Sequence, residues 1–285
     1  MASGEKFDCI VVGAGPAGTT CAYALAKAGL STVLLERGEK PGSKNVMGGI
    51  LYSTILNKVI PEFWKEAPVE RRIMQKKFAV LSDDSEVGLG LRFEGFNKPP
   101  YNNTFSVLRG KFDAWYAAKA EEAGVMILNE AVVDKVIVES KKAVGVKTRL
   151  EDGDLFADTV VVAEGVTSLL AQGLGLREKH VPEQMVTCCK EVIGLPKEAI
   201  EERFGLEGEE GASLEYFGGS VKGLVGSAFL YTNKESVSLG IGVSTHDLKN
   251  NKLTPNDIIE NFKEHPSIRH YIKGGKLLEY SAHMI

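Results

Sequence analysis

Two short apolar runs flank a helical segment at the start of the chain. The runs are FDCIVV (residues 7–12) and STVLLE (residues 31–36), and their unbroken, β-branched character is typical of buried strands. Residues 16–28 between them are rich in good helix formers, and Gly29 ends that segment. The pattern predicts a βαβ unit with a glycine turn between its first strand and its helix, and therefore a parallel sheet.

The middle of the chain changes between helical and strand-like patterns. Apolar residues recur with helical spacing from Ile50 to Trp64, which predicts one or two helices divided at Pro61. A further amphipathic helix is predicted from Lys111 to Ala123. Strand patterns occupy the segments KKFAVLS (76–82), EVGLGLRF (86–93), VMILNE (125–130), VVDKVIVES (132–140), AVGVKTRL (143–150) and LFADTVVVA (155–163). Short turns between the last of these predict a meander.

Beyond Pro182, short strands separated by glycine-rich or Asn-Lys turns predict an antiparallel sheet. A helix follows, with Thr254 as its N-cap and Pro255 at its first position. The predicted fold class is α/β, with a Rossmann-like domain of parallel sheet plus β-meander and a second α+β domain on an antiparallel sheet. The predicted domains are residues 1–75 with 105–182, and residues 76–104 with 183–285.

Composition and charge limit the possible functions. The chain has 285 residues, 44% hydrophobic and 25% charged, which is the composition of a globular protein. Its net charge is −4 with both signs interspersed, which argues against a nucleic-acid partner. The first residues lack the pattern of a signal peptide, and no stretch of eighteen apolar residues occurs. We expect a cytoplasmic protein, with peripheral contact to the cytoplasmic face of a membrane left open.

The four cysteines are Cys9, Cys21, Cys188 and Cys189, without C-x-x-C spacing or a histidine pair at ligand spacing. We therefore expect neither a metal site nor a disulfide framework. Cys188 and Cys189 are adjacent on a predicted strand, so their side chains should point to opposite faces and serve as packing residues.

The segment GAGPAG (residues 13–18) lies between the first strand and the first helix. In this position Gly13 allows the tight turn, Gly15 lets backbone approach a pyrophosphate, and Gly18 lets the helix pack on the strand. Glu36 ends the second strand, where its carboxylate can accept hydrogen bonds from ribose hydroxyls. The pattern predicts a dinucleotide site and leaves NAD and FAD as alternatives.

Ordered segments resemble the flavoprotein family that joins geranylgeranyl reductases, aromatic-ring hydroxylases and electron-transfer-flavoprotein quinone oxidoreductases. Beside the glycine fingerprint they are ERGEKPGSKNVMGGILY (36–52), VLRGKFDAWYAAKAEEAG (107–124) and DTVVVAEGVTSLLAQGLGL (158–176), the last with Glu164 in place of the usual aspartate. The resemblance implies FAD and a glutathione-reductase-type first domain. The cofactor-binding residues that it implies are Gly13, Gly15, Ala17, Gly18, Glu36, Arg37, Met47, Gly48, Gly49, Ile50, Arg109 and Val133.

The second half of the chain narrows this resemblance. The segments CCKEVIGLP (188–196), YFGGSVKGLVGSAFLYTNKESVSLGIGV (216–243) and LEYSAHMI (278–285) resemble FixC-type proteins and mitochondrial quinone oxidoreductases of electron-transfer flavoprotein. This implies an FAD-dependent oxidoreductase that takes electrons from electron-transfer flavoprotein, with its alpha and beta subunits, and passes them to a quinone. It also implies a separate ferredoxin-like FixX-type subunit. Because such a relay needs no nucleophile or general base, no catalytic residue is named.

Two features qualify the resemblance. The family has a second FAD motif, a GDAAG-like segment, beyond the position of Ile285, so we expect the C-terminal part of the family fold to be absent and the chain to be a piece of a longer protein. The apolar stripe from Leu51 to Trp64, with the basic residues between Arg71 and Lys77, admits two interpretations. We favour a core-facing helix with a solvated charged end over a surface that touches quinone or membrane.

Other functions stay open at this stage. One is an FAD-dependent reductase or monooxygenase of a lipid or aromatic substrate, similar to geranylgeranyl reductases. Another is a non-catalytic subunit retained for assembly with electron-transfer flavoprotein. A plain NAD dehydrogenase is the weakest alternative, because the segment after Glu36 resembles a flavin loop.

Overall fold

The computed structural model describes residues 6–43, 48–101, 104–151 and 153–285. The strands within these ranges are β1 (Lys6–Val12), β2 (Thr32–Leu35), β3 (Gly48–Tyr52), β4 (Val69–Leu81), β5 (Glu86–Arg92), β6 (Thr104–Leu108), β7 (Met126–Leu128), β8 (Val133–Glu139), β9 (Lys142–Thr148), β10 (Asp154–Val162), β11 (Val186–Gly194), β12 (Glu210–Gly218), β13 (Gly226–Thr232), β14 (Ser236–Ser244) and β15 (Lys276–Met284). The α-helices are α1 (Pro16–Lys27), α2 (Ser53–Val59), α3 (Arg109–Glu122), α4 (Leu169–Gly173), α5 (Lys197–Phe204), α6 (Thr245–Asn251), α7 (Pro255–Glu264) and α8 (Pro266–Ile272).

The chain divides into two compact units, of which the first contains Met1–Asn45 and Arg109–Lys179. Its sheet has the order β7-β2-β1-β10-β9-β8, in which β7, β2, β1 and β10 are parallel and β10, β9 and β8 form an antiparallel meander. Alternate residues of β1 contribute to two separate apolar clusters, one containing Ile10 and the other Val11. Both faces of β1 are therefore covered, which explains its unbroken apolar run.

The second unit contains Val46–Leu108 and His180–Ile285. Its sheet has the order β15-β11-β14-β13-β12-β4-β6-β3, with β5 paired to β4, and every pair is antiparallel except β12 with β4. One face packs against helices, because Ile200 of α5, Phe262 of α7 and Ile268 of α8 belong to the same core cluster as the strands. A reciprocal capping box between Thr254 and Asp257 starts α7 at the predicted position.

The predicted fold class is confirmed, while one element and the domain boundaries differ from the prediction. Ile50–Trp64 does not form one or two helices throughout, because its first residues belong to β3, which pairs with β6. Only α2 and a short 3-10 turn at Phe63–Lys65 are helical there. Residues 46–75 and 105–108 were assigned to the first domain from sequence, but they belong to the second unit, where β3, β4 and β6 pair in the second sheet.

Arg71 is the most deeply buried charged side chain of the second unit, with 1% of it exposed. Its Nε donates to the carbonyl of Asn233 at 2.6 Å, and its Nη2 donates to that of Lys234 at 3.2 Å. Its Nη1 donates to the carbonyls of Gly208 and Glu210, both at 3.0 Å. We call Arg71 with these four carbonyl groups the Arg71 clamp. It ties β4 to the turn between β13 and β14 and to the segment that enters β12.

Two further groups complete the surroundings of Arg71. Ser106 of β6 accepts a hydrogen bond from the Arg71 backbone N–H at 3.1 Å and donates to the carbonyl of Thr232 at 2.7 Å. The carboxylate of Glu201 lies 3.7 Å from Nη1. Burial lowers the pKa of Arg71, and the nearby carboxylates, Glu201 first, oppose that change. The guanidinium therefore keeps its charge because backbone carbonyls and a carboxylate replace water around it.

We expect Arg71→Met to lower the free energy of unfolding by about 3–5 kcal/mol, because it leaves four carbonyl groups without their shared donor. Urea unfolding followed by circular dichroism measures this difference. Arg269→Met, at an exposed position of α8, is the matched control and should change stability by less than about 0.5 kcal/mol. Equal unfolding midpoints for the two variants would show that the Arg71 clamp is not stabilising.

Candidate dinucleotide site

The turn between β1 and α1 is built around two glycines, Gly13 and Gly18, at which any side chain would force the backbone to shift. Gly13 has a φ of +102°, and a Cβ on it would lie 2.5 Å from the carbonyl oxygen of Ala163, next to the end of β10. A Cβ on Gly18 would lie 1.9 Å from the carbonyl oxygen of Gly13. The N–H of Gly13 also donates to the carbonyl of Leu35 at 2.8 Å. These approaches place the start of α1 directly at the carboxyl end of the parallel strands.

Gly15 has a different environment from its neighbours. Apart from its chain neighbours, no heavy atom of the described residues lies within 4 Å of the Cβ position on Gly15, so that side of its Cα faces open space. Gly15 is the N-cap of α1, without a side-chain cap, and Pro16 and Ala17 are exposed in the first turn. A helix N-terminus whose first turn holds no acidic residue favours a bound anion through its N–H groups and its dipole.

Glu36 faces this turn from the end of β2. Its Oε2 accepts a hydrogen bond from the N–H of Ala14 at 3.2 Å, and its Oε1 accepts one from Gly38 at 2.7 Å. Its backbone N–H donates to Leu128 and its carbonyl accepts from Ala131. A carboxylate has about four acceptor positions, so two backbone donors leave capacity for hydroxyl groups of a ligand. Arg37, the next predicted residue, is exposed.

The segment after β2 packs on the start of α3. Gly42 has a φ of +87°, and a Cβ on it would lie 2.9 Å from the carbonyl oxygen of Arg109 and 3.0 Å from Cβ of Asp113. Arg109 is held by a two-point ion pair, in which Nε and Nη2 each lie 2.7 Å from a carboxylate oxygen of Asp113. Thr20 of α1 and Tyr116 of α3 share a hydrogen bond of 2.8 Å. The predicted Arg109 is therefore oriented before any ligand arrives.

Asp113 and Gly42 contact the predicted Arg109, and the sequence analysis missed both. The i,i+4 spacing of Arg109 and Asp113 on one helix was a usable signal, and the Pro-Gly step at residues 41–42 was another. Val133, the first residue of β8, is half-buried and packs against the cluster that contains Ile10. Nothing in its position contradicts the predicted role, which stays a prediction.

The remaining predicted residues lie in the second unit or outside the described ranges. Met47 lies outside the described residues. Gly48, Gly49 and Ile50 lie in β3, where a Cβ on Gly49 would be 2.2 Å from the carbonyl oxygen of Val107. Strand pairing with β6 is therefore sufficient to require glycine at position 49, independently of any ligand.

Glu164 has a structural role next to the turn. Its Oε2 accepts from the N–H of Leu170 at 3.0 Å and its Oε1 accepts from Ala171 at 2.9 Å. The carboxylate therefore satisfies the first N–H groups of α4. Ala163, the residue before Glu164, has the carbonyl group that Gly13 approaches. The hydrogen bonds of Glu164 to α4 therefore help to fix the backbone beside the turn.

Cys188 and Cys189 lie on opposite faces of β11, as predicted. Cys189 belongs to the core cluster of the second unit, whereas Cys188 is half-buried with its Sγ above Gly242. Burial is the main cause that raises the pKa of each thiol. Within the described ranges, no three His, Cys, Asp or Glu side chains meet in an arrangement that could hold a metal ion.

An exposed apolar surface lies on the second sheet, on the face opposite the helices. Phe78 pairs with Leu89 and Val80 pairs with Val87 across β4 and β5, and Phe217 of β12 lies beside Val80. All five side chains are exposed, Val87 to 79% and Leu89 to 63%. We call these five residues the apolar strand face. Of the basic residues that follow the Leu51–Trp64 stripe, Arg71 is buried and is neither a membrane anchor nor part of a solvated end, whereas Arg72, Lys76 and Lys77 are half-buried.

Two family models match the chain. A model described as FAD dependent oxidoreductase matches residues 8–173, and a model described as ETF-QO, ubiquinone-binding, matches residues 207–285. The first match contains the turn, Glu36, Arg109 and Val133. The second contains β12 to β15.

Curated proteins and solved structures extend these matches. The chain is 44% identical over 282 residues to Protein FixC of Bradyrhizobium diazoefficiens and 42% identical over 283 residues to the probable electron transfer flavoprotein-quinone oxidoreductase YdiS of Escherichia coli strain K12. Both alignments cover 99% of this chain and 65% of the relative, so the chain spans less than two thirds of these relatives. A geranylgeranyl bacteriochlorophyll reductase-like structure from Thermoplasma acidophilum has a TM-score of 0.79 at 23% identity, covering 99% of this chain and 66% of that one.

We expect Gly18→Ala and Gly15→Ala to differ sharply in stability. Gly18→Ala forces the Gly13 carbonyl to move and should cost about 3 kcal/mol, whereas Gly15→Ala adds its methyl group to open space and should cost less than about 1 kcal/mol. Thermal unfolding of the two variants under one buffer condition measures the difference. Equal losses would contradict the assignment of packing to Gly18 and ligand approach to Gly15.

Proposed function

Because this chain belongs to the FAD-dependent oxidoreductase family, we propose that it takes electrons from an electron-transfer flavoprotein and passes them to a quinone. The main support for this proposal is that one chain matches an FAD-dependent family model and then a ubiquinone-binding family model. The FAD-dependent match at residues 8–173 comes first, and the ubiquinone-binding match at residues 207–285 follows. The printed name of the YdiS relative contains both proposed redox partners, electron transfer flavoprotein and quinone.

The described residues of the first unit fit an FAD cofactor. The open space at Gly15, beside an uncapped helix N-terminus, suits the diphosphate, and the carboxylate of Glu36 suits the ribose hydroxyls. Gly13, Ala17, Gly18, Arg37 and Val133 are the other proposed contacts of this unit. When bound, FAD supplies a group that can carry one or two electrons.

Side chains of the chain itself would position the cofactor. Glu36 is already directed at the turn by the N–H groups of Ala14 and Gly38, so it needs little rearrangement to receive a hydroxyl group. Asp113 fixes the direction of the Arg109 guanidinium. Met47, Gly48, Gly49 and Ile50 stay proposed flavin-loop residues on the strength of the resemblance.

The apolar strand face supports a quinone or lipid contact in the second unit. Quinones with long isoprenoid chains partition into membranes, and exposed Val, Leu and Phe side chains favour such a phase. No helix within the described ranges is long and apolar enough to cross a bilayer. We therefore propose peripheral contact with the cytoplasmic face of a membrane.

The proposed protein partners are the alpha and beta subunits of electron-transfer flavoprotein and a ferredoxin-like FixX-type subunit. The likeness to FixC proteins at 42–45% identity supports these partners. The likenesses to solved structures lie at 15–23% identity and bear on the fold alone, so they favour no reductase or halogenase activity.

The visible spectrum of the purified protein tests the function. We expect flavin absorbance that bleaches on anaerobic addition of reduced electron-transfer flavoprotein and returns on addition of a short-chain quinone. Gly15→Ala should contain at least about tenfold less flavin while staying folded, because its methyl group occupies the proposed diphosphate position. Flavin that a lipid or aromatic substrate reoxidises, with no response to quinone, would favour the reductase or monooxygenase. A colourless protein that binds electron-transfer flavoprotein would favour the assembly subunit.

Sedimentation with zwitterionic lipid vesicles tests the membrane contact. The turn beside the apolar strand face carries Asp83 and Asp84, which anionic lipid would repel. Zwitterionic lipid avoids that repulsion. We expect the double variant Val87→Ser with Leu89→Ser to lose about 3 kcal/mol of partitioning free energy. The matched control is Val138→Ser, at an exposed valine of β8 in the first unit. Equal sedimentation of the double variant and the control would contradict the proposal.

A further inference from the structure

A cavity of about 330 Å³ lies in the second unit, on the face of the β4–β5 hairpin opposite the apolar strand face. Gly90 of β5 and Leu214 of β12 line it on the sheet side. Phe204 of α5 and Tyr271 of α8 line it on the helix side, and their rings stack with centroids 4.4 Å apart. A volume near 300 Å³ is at the lower end of ligand sites and fits a single small ring or a short acyl chain.

The sequence of β5 explains why this space exists. Val87, Leu89 and Leu91 alternate with Gly88 and Gly90, so one face of β5 carries large apolar side chains and the other has no side chain between Glu86 and Arg92. Gly90 lies opposite Lys77 in the antiparallel register, and in the described part of the chain no heavy atom beyond its two chain neighbours lies within 4 Å of the Cβ position on Gly90. The missing side chain leaves room between the hairpin and α5.

Among the described residues that line the cavity, four are cationic, Lys76, Lys77, Arg92 and Arg203, and none is acidic. Nζ of Lys76 lies over the ring of Tyr52, 5.8 Å from its centroid. Lys77 and Arg92 line it but have carboxylate partners, Lys77 with Glu86 and Arg92 with Glu94 and Glu210. Those partners reduce the contribution of both cations to a ligand.

Arg203 differs from them. It is half-buried, and its Nη1 donates to the carbonyl of Tyr271 at 3.0 Å. Within the described ranges it forms no ion pair with a carboxylate. A half-buried guanidinium beside two stacked rings is a partly desolvated donor with N–H groups to spare, which favours a planar anion.

We propose that this cavity is a second ligand site, and that it takes a small carboxylate with an aromatic or short apolar body. The carboxylate would accept hydrogen bonds from Arg203, and the apolar body would contact Phe204, Leu214 and Tyr271 beside Gly90. None of these residues is among those proposed for FAD. Leu214 and Tyr271 do lie within the ubiquinone-binding match. Binding of a small carboxylate beside Arg203 needs neither flavin nor quinone, so the inference survives if the proposed redox function fails.

Isothermal titration calorimetry with benzoate as the probe tests the site. We expect benzoate to bind the purified chain and the neutral analogue benzyl alcohol to bind at least about tenfold more weakly, because charge-assisted hydrogen bonds to Arg203 are lost. Arg203→Gln should weaken benzoate at least about tenfold, and Arg203→Lys should restore part of the affinity. Arg269→Gln removes an exposed charge from α8 and is the matched control.

A second variant tests the position of the site without removing charge. Gly90→Val should abolish benzoate binding by filling the cavity, and it should fold because valine suits a strand and its Cβ meets no atom. Benzoate bound elsewhere on the molecule would survive Gly90→Val and would overturn the assignment. Absence of binding to the unaltered chain, or equal affinity for benzyl alcohol, would also overturn it.

Discussion

The contact between Gly18 and the carbonyl oxygen of Gly13 determines the geometry of the first unit. Because a Cβ on Gly18 would lie 1.9 Å from that oxygen, α1 can begin where it does only with glycine there. This close start puts the N-terminus of α1 at the carboxyl edge of the parallel strands. Glu36 ends the neighbouring strand, so the same contact decides that an acidic acceptor and a helix N-terminus face one turn. Gly15, between Gly13 and Gly18, is the residue that we propose approaches the ligand.

The second unit depends on the buried guanidinium of Arg71, whereas the first depends on the close approach of Gly18 to Gly13. The guanidinium of Arg71 donates hydrogen bonds to carbonyl groups of two separate segments. Both segments lie more than 130 residues after Arg71 in the sequence. Long-range pairing of this kind cannot be read from local patterns, because every partner is a backbone group and carries no sequence signature. A stretch of basic residues near Lys77 looks like a solvated face in the sequence. The parallel pairing of β4 with β12 makes part of it core instead.

Strong local patterns were therefore predictable, and tertiary pairings were not. The fingerprint, Glu36 and the meander follow from turn geometry and from strand and helix periods, and the structure has each of them in place. Ile50 to Tyr52 shows the opposite case, because an apolar run of that length fits a strand or a helix until its partner β6 is known. The roles of Arg109 and Gly49 were predicted from the family resemblance, and the structure adds the contacts that each residue makes within the chain. Arg109 is paired with Asp113, and Gly49 is needed by its neighbouring strand.

The β4–β5 hairpin shows how one register can produce two unrelated surfaces. Successive side chains on a strand alternate between faces, so the large residues of β5 form the apolar strand face while its glycines leave the cavity beside Arg203. A shift of one residue would exchange the two sets, burying Val87 and Leu89 against α5 and exposing the glycines. The pairing of Phe78 with Leu89 opposes such a shift, as does the ion pair between Lys77 and Glu86 on the other face. Both proposed contacts, one with an apolar phase and one with a small anion, therefore depend on the same pairing of two strands.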